Sequence, residues 1–282
     1  MERRVRRRVT HLQEAAHDRG VYILPNLLTT AGLFCGVFAI AQTLHGFYFN
    51  AALAIIGAMF FDIMDGRVAR IMHTTSRFGQ EYDSLCDLVS FGVAPGLLIY
   101  TWALIPWGVW GWLATALFVC CAALRLARFN TTIGVSKTDH FVGLPVPAAA
   151  GTLASIVLMY QYLGRSGLPD KHIALLLVTY VLATLMISTV PYPSGKHLKL
   201  NRRQPLWLLV VAIASLNFLI ARYQVVLFAI GVTYVTAGLV MWAVRRVRGQ
   251  QPAAGGARDV TEDGAQIASE EDHPEDRPAI SG

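Results

Sequence analysis

Four carboxylates stand in one short, ordered stretch: Asp62-Ile-Met-Asp65-Gly66-Arg-Val-Ala69-Arg70, eight further residues, then Gly79-Gln-Glu-Tyr-Asp83-Ser-Leu-Cys-Asp87. Asp62 and Asp65 are three apart and Asp83 and Asp87 four apart, so on helices each pair projects from one face. If the two helices are consecutive and antiparallel, the pairs face each other. Ionised carboxylates in or beside hydrocarbon are costly, and four that converge repel strongly unless they are compensated. Divalent cations are the natural compensation. Clustered hard oxygen ligands suit Mg²⁺ or Mn²⁺, and two such ions can bridge a diphosphate and stabilise an in-line displacement. Gly66, Ala69 and Gly79 remove side-chain bulk where a nucleotide could approach, and Arg70 offers a planar donor fork for phosphate oxygens. Taken singly, Asp65 and Arg70 would serve equally as interfacial residues and the glycines as helix-packing residues. The ordered set with four acids argues for a site.

The elements that must carry these acids are apolar. Of 282 residues 54% are hydrophobic and 15% charged, against about 45–50% and about 25% in soluble domains. Mean hydropathy is +0.46. Apolar runs long enough to cross a bilayer as helix fall at roughly 22–42, 47–71, 82–102, 109–126, 145–162, 172–190, 204–220 and 223–244. They are apolar on every face, unlike the alternating ten-residue segments of a β-barrel. The sequence thus predicts an all-α, polytopic membrane bundle of about eight transmembrane helices. Residues 1–20 form a basic N-terminal segment, 21–245 the transmembrane catalytic domain and 246–282 an acidic tail with the composition of disorder. Cys35, Cys86, Cys120 and Cys121 lie in apolar stretches without metal-ligand spacing and read as packing residues. The first run lacks a small-residue cleavage site, so it is expected to stay as a membrane helix.

The net charge of +6 is unevenly spread, because after residue 245 four Arg face eight acids. The remaining positive charge sits at the ends of apolar runs, which points to membrane orientation rather than to nucleic acid. With both termini cytoplasmic, 19 Lys and Arg fall on the inner side, against Arg165, Lys171 and Arg222 outside. This predicts a multi-pass protein of the cell's inner or plasma membrane with the acids at the cytoplasmic side. Trp102, Trp107, Trp110 and Trp112 cluster around an outer connection and are expected in the headgroup layer.

The string Asp62-x-x-Asp65-Gly66-x-x-Ala69-Arg70, eight residues, Gly79-x-x-x-Asp83-x-x-x-Asp87 is similar at every position to the signature of the CDP-alcohol phosphatidyltransferases. The resemblance implies a membrane enzyme with a six-helix catalytic core, usually a homodimer. Such an enzyme moves a phosphatidyl group from CDP-diacylglycerol to an alcohol and releases CMP. It further implies that Asp62, Asp65, Asp83 and Asp87 coordinate the metals, with Asp87 also the base. Gly66, Ala69 and Gly79 would shape the cytidine pocket, Asn26, Thr29, Asp65 and Asp83 would contact the nucleotide, and Arg70 would contact phosphate.

Further segments narrow the acceptor. Tyr22-Ile-Leu-Pro25-Asn26-Leu-Leu-Thr29, Ser90-Phe91-Gly92-Val-Ala-Pro95-Gly96, Arg125-Leu-Ala-Arg128-Phe129-Asn130, Phe141-Val-Gly143-Leu-Pro145-Val-Pro147 and Val190-Pro191-Tyr192-Pro193-Ser194-Gly-Lys196 together resemble the membrane-embedded branch that uses L-serine. On that reading Arg125, Arg128 or Lys196 would hold the serine carboxylate. Pro25-Asn26 would equally start a helix, and the three basic residues would equally obey the charge rule for loops. Other acceptors remain open: glycerol 3-phosphate, an inositol phosphate, choline, or serine on ether-linked archaeal lipids. A cation-coupled transporter is the reading from another class. The acids at one membrane side and the lack of a second copy of the motif speak against it.

Overall fold

The computed structural model describes residues 23–72, 77–132, 141–165, 168–169, 171–188, 191–192 and 221–247. The basic N-terminal segment, the run at 204–220, Lys196 and nearly all of the acidic tail lie outside them. The chain divides into two units after Trp242. Of the second unit, the described residues are the end of the last helix.

Eight helical stretches follow one another in the described residues: α1 (Ile23–Leu44), α2 (Tyr48–Ile71), α3 (Arg77–Asp87), α4 (Ala94–Ile99), α5 (Val109–Thr132), α6 (Val146–Tyr162), α7 (Ile173–Ile187) and α8 (Tyr223–Val247). Two residues each of β1 (Phe141–Val142) and β2 (Pro191–Tyr192) pair antiparallel, and the fold is otherwise all-α. Among the described residues, four helices are long and apolar enough to cross a membrane: Leu24–Leu44, Phe78–Trp107, Val109–Thr131 and Tyr223–Val240. Large apolar side chains such as Phe34, Phe38, Phe60, Leu117 and Ile230 stand exposed along the helices, a surface suited to lipid and not to water. This is an all-α membrane protein.

The first two helices show how local chemistry sets the site. Gly46 takes φ +79°, and Gly46 N and Phe47 N donate to Thr43 O and Gln42 O at 3.0 and 2.9 Å. This is a Schellman stop, which needs a left-handed residue at that position. The chain reverses at once, and α1 and α2 pack along their length. On α2 the buried face runs through Ala51, Ile55, Ala58 and Asp65, with Asp62 in the same stripe. Small residues let α2 approach its neighbours closely, and the same helical period carries the acids inward.

The third predicted span begins earlier than expected. α3 starts at Arg77, because residues 77–81, with Arg77, Gln80 and Glu81 among them, continue the helix beyond the apolar stretch. It runs on through a wide π turn at Leu88–Val93, then α4, a second π turn at Tyr100–Leu104 and a 3₁₀ turn at Ile105–Trp107. The other predicted spans in the described residues agree with α1, α2, α5, α6, α7 and α8 to within a few residues, apart from α5, which continues to Thr132. Trp102 departs from its expected place. It is 2% exposed and packs edge-on against Tyr160, ring centroids 5.2 Å apart, whereas Trp110 and Trp112 are exposed. The four cysteines are free, as packing residues would be, although Cys120 is exposed.

Candidate active site

Three elements converge on the acids. Asp62 and Asp65 come from the last turns of α2, Asp83 and Asp87 from α3, and Thr29 from α1. One carboxylate oxygen from each of Asp62, Asp83 and Asp87 lies within 4.8 Å of the others. At such separations like charges repel by roughly 3–4 kcal/mol per pair at an effective dielectric near 20. Asp83 Oδ1 is buried and has no hydrogen-bond partner among the described residues. A buried carboxylate oxygen left unsatisfied beside two more carboxylates fits a hard divalent cation.

Asp65 is held differently. It is 6% exposed, and the Thr29 hydroxyl donates to its Oδ2 at 2.8 Å, with Pro25 O a second acceptor at 3.1 Å. Asp65 lines the same cavity of about 180 Å³ as the other three acids and Thr29. The cavity is partly open to its surroundings.

The mouth offers room on α2. A Cβ at Gly66 would meet nothing within 4 Å. Ala69 is partly buried one turn on, and Arg70 Nε donates to Gly66 O at 2.8 Å, which folds the exposed guanidinium back toward the acids. Gly79, in the first turn of α3, is partly buried. Asn26, also partly buried, sits in the first turn of α1, and its carbonyl accepts from Thr30 at 2.7 Å.

The surrounding helices are cross-tied. Thr30 Oγ1 and Tyr82 OH are 2.9 Å apart, joining α1 to α3. Ser84 donates to Asn130 Oδ1 at 3.1 Å and Asn130 Nδ2 donates to Glu81 at 3.2 Å, joining α3 to α5. Ser90, in the π turn after Asp87, donates to Gly32 O at 3.2 Å. Thr30, Tyr82, Glu81 and Ser84 were not legible as site supports, since a hydroxyl or amide inside an amphipathic helix end has no distinctive spacing.

The basic candidates separate. Arg125, on α5, is 9% exposed and acts on Asp87 electrostatically, and its Nε is buried without a hydrogen-bond partner among the described residues. Arg128 is exposed, and its Nη1 donates to Ile187 O at 3.2 Å, the end of α7. Its Nη2 lies where a Cβ on Gly143, at φ +85°, would come within 3.3 Å. Arg128 therefore ties α5 to the end of α7, a role that favourable contact with C-terminal carbonyls explains.

Comparison with known proteins agrees with this arrangement. The family model described as CDP-alcohol phosphatidyltransferase matches residues 22–190, which include all four acids. Relatives named CDP-diacylglycerol--serine O-phosphatidyltransferase include one from Helicobacter pylori, 36% identical over 81% of this chain and 94% of its own. One from Bacillus subtilis is 35% identical over 65% of this chain and 98% of its own. An archaetidylserine synthase from Methanothermobacter thermautotrophicus is 36% identical over 60% of this chain and 69% of its own. With the three converging carboxylates and the match across the whole signature, the chain belongs to the CDP-alcohol phosphatidyltransferase family.

Proposed function

We propose that this protein transfers the phosphatidyl group of CDP-diacylglycerol to the hydroxyl of L-serine, giving phosphatidylserine and CMP. The observation that carries the reading is the convergence of Asp62, Asp83 and Asp87, with a buried Asp83 oxygen awaiting a partner. The names of the bacterial and archaeal relatives share serine while differing in lipid, which supports serine as the acceptor.

Asp62, Asp65, Asp83 and Asp87 would hold the divalent cations, Mg²⁺ or Mn²⁺. Bound there, such ions neutralise the diphosphate and the charge that builds on departing CMP. Thr29 orients Asp65 by its hydrogen bond, as supporting shells around metal sites do. Gly66, Ala69 and Gly79 let the nucleotide lie close to the helices, with Asn26 and Thr29 at its edge and Arg70 reaching its phosphates. Asp87 accepts the proton of the serine hydroxyl. The serine oxygen forms a bond to the phosphorus that carries diacylglycerol, and the bond from that phosphorus to CMP breaks with its electron pair. Arg125, Arg128 or Lys196 would hold the serine carboxylate. The acid-bearing helix ends face the cytoplasm, the charge rule places both termini there, and the working unit is a homodimer.

Purified protein incubated with CDP-diacylglycerol, Mg²⁺ or Mn²⁺ and a panel of alcohols tests this by CMP release. Release with serine, abolished in Asp83→Asn and Asp87→Asn with the fold retained by circular dichroism, is the expected outcome. Near-normal activity in either variant would sink the assignment, and no release with any alcohol would revive the transporter.

A further inference from the structure

We propose that the end of the bundle opposite the acids is a docking surface for anionic phospholipid, whose phosphate is held by Arg165, Lys171 and Arg222. This surface stands apart from the reaction assigned to the acid cluster. α5 and α7 have their last turns at the acid end, where Asn130 reaches α3 and Ile187 O accepts from Arg128. Their first turns, and the residues just before them, therefore lie at the far end. Lys171 precedes α7 there, and Arg222, which precedes α8, is bonded to Tyr162 in the last turn of α6. α6 stops at Gly164, which takes φ +73° and donates its N–H to Gln161 O at 3.0 Å, so that Arg165 leaves the helix end. All three cations are exposed.

Each cation stands against an aromatic ring. Lys171 Nζ lies 4.6 Å from the centroid of Trp107, and Arg165 Cζ 6.0 Å from that of Tyr160. Arg222 Cζ lies 5.5 Å from the Tyr162 centroid, with its Nη1 donating to the Tyr162 hydroxyl at 2.6 Å. The rings form one connected set. Tyr160 and Tyr162 share the last turn of α6, Trp102 packs edge-on against Tyr160 at 5.2 Å, and Trp102 and Trp107 lie in consecutive turns before α5. A ring under a cation limits the freedom of a long side chain, so the charges are in place before a ligand arrives. Trp and Tyr also settle at headgroup depth, where lipid phosphates lie. A ring does not neutralise the charge, however. Arg165 and Lys171 make no hydrogen bond or ion pair among the described residues, and Arg222 makes none to a carboxylate. Asp170, the one acid in residues 163–172, lies outside the described residues. A zwitterionic headgroup would bring its own ammonium toward three cations, whereas an anionic headgroup brings the phosphate alone. Charge complementarity therefore selects the anionic lipid.

The test uses the full chain in a neutral detergent and reads binding as a rise in Tm. The additions are phosphatidylglycerol, phosphatidylcholine with the same acyl chains, or inorganic phosphate. Phosphatidylglycerol should act at a concentration about fivefold or more below that of phosphatidylcholine, and inorganic phosphate should have no effect. Arg165→Gln, Lys171→Gln and Arg222→Gln together should weaken the phosphatidylglycerol response by about tenfold or more, since each cation contributes about fivefold near an anionic surface. The phosphatidylcholine response should not move. Arg165→Lys, Lys171→Arg and Arg222→Lys together keep the charge and should stay within about threefold of the wild type. If the neutral triple variant does not fold, the three single Gln variants carry the test, each weakening phosphatidylglycerol by about fivefold. Equal responses of the wild type to the two lipids, or a phosphatidylglycerol response that the Gln variants retain, overturn the docking surface. A charge-keeping variant as weak as the neutral one overturns charge as its basis. A response to inorganic phosphate as strong as that to phosphatidylglycerol makes the site one for a soluble anion and overturns the lipid assignment.

Discussion

Asp62, Asp83 and Asp87 are arranged for a cation, and that arrangement costs stability when no cation is bound. Each carboxylate lies near two others at a partly buried position, and Asp83 Oδ1 has no donor among the described residues. Asp62→Asn removes one of the three charges. The metal-free variant should be more stable than the metal-free wild type by roughly 1–2 kcal/mol, or about 2–8 °C in Tm, while losing activity. Added Mn²⁺ or Mg²⁺ should raise the wild-type Tm and barely move that of the variant, and a chelator should abolish CMP release. A wild-type Tm indifferent to divalent cations would count against the metal site. The acids were legible in the sequence because helical spacing alone puts each pair on one face. The division of labour between Arg125 and Arg128 was not. They carry the same charge three positions apart on one helix, and only the packing of α5 against α3 and α7 shows which one is buried and which caps α7.

The element that presents Asp83 and Asp87 is a helix whose turns widen at Leu88–Val93, directly after the second acid. A π turn inserts a residue and rotates the helix beyond it, which is why such turns recur at functional sites. Here the rotation lets Ser90 and Phe91 face the interior together with Asp87. α1 closes on this turn at Gly36. A Cβ on Gly36 would overlap Ser90 Oγ and come within 2.8 Å of Ser90 Cα, whereas a Cβ on Gly57 would meet only Cys35 Sγ at 3.9 Å. Gly36→Ala should lower stability by about 1–3 kcal/mol and reduce CMP release as Asp87 shifts. Gly57→Ala should be neutral or slightly stabilising. Thermal unfolding and CMP release of the two variants check this, and equal behaviour would show that the turn is not held by α1. The existence of the apolar spans was legible because it depends only on accumulated hydropathy. The π turns were not, since a phase slip of one residue leaves the hydropathy of a window unchanged. The early start of α3 was missed for a related reason: Arg77, Gln80 and Glu81 mark where the apolar stretch ends, while the helix itself continues and Glu81 accepts from Asn130.

At the scale of the molecule the two ends of the bundle differ in chemistry. The acids, Arg70, Arg125 and Arg128 belong to one end. At the other, Lys171 Nζ stands 4.6 Å from the Trp107 ring centroid, and Trp110 and Trp112 are exposed at the start of α5. Aromatic rings favour the headgroup layer on either side, so they do not fix which end is cytoplasmic. The charge asymmetry is what the proposed cytoplasmic orientation rests on, with 19 basic residues on the acid side of the predicted topology and three on the other. A lipid diphosphate made in the membrane would then meet a water-soluble acceptor at the cytoplasmic surface. Single cysteines test the orientation, in a background with Cys35, Cys86, Cys120 and Cys121 replaced by Ala. Thr131→Cys reports the acid end, where Thr131 is exposed near the end of α5, and Lys171→Cys reports the opposite end. A membrane-impermeant thiol reagent should label Lys171→Cys in right-side-out vesicles and Thr131→Cys in inside-out vesicles. The reverse pattern would place the acids outside and remove the cytoplasmic supply of acceptor from the mechanism. Labelling of both positions from one side would contradict an odd number of crossings between α5 and α7.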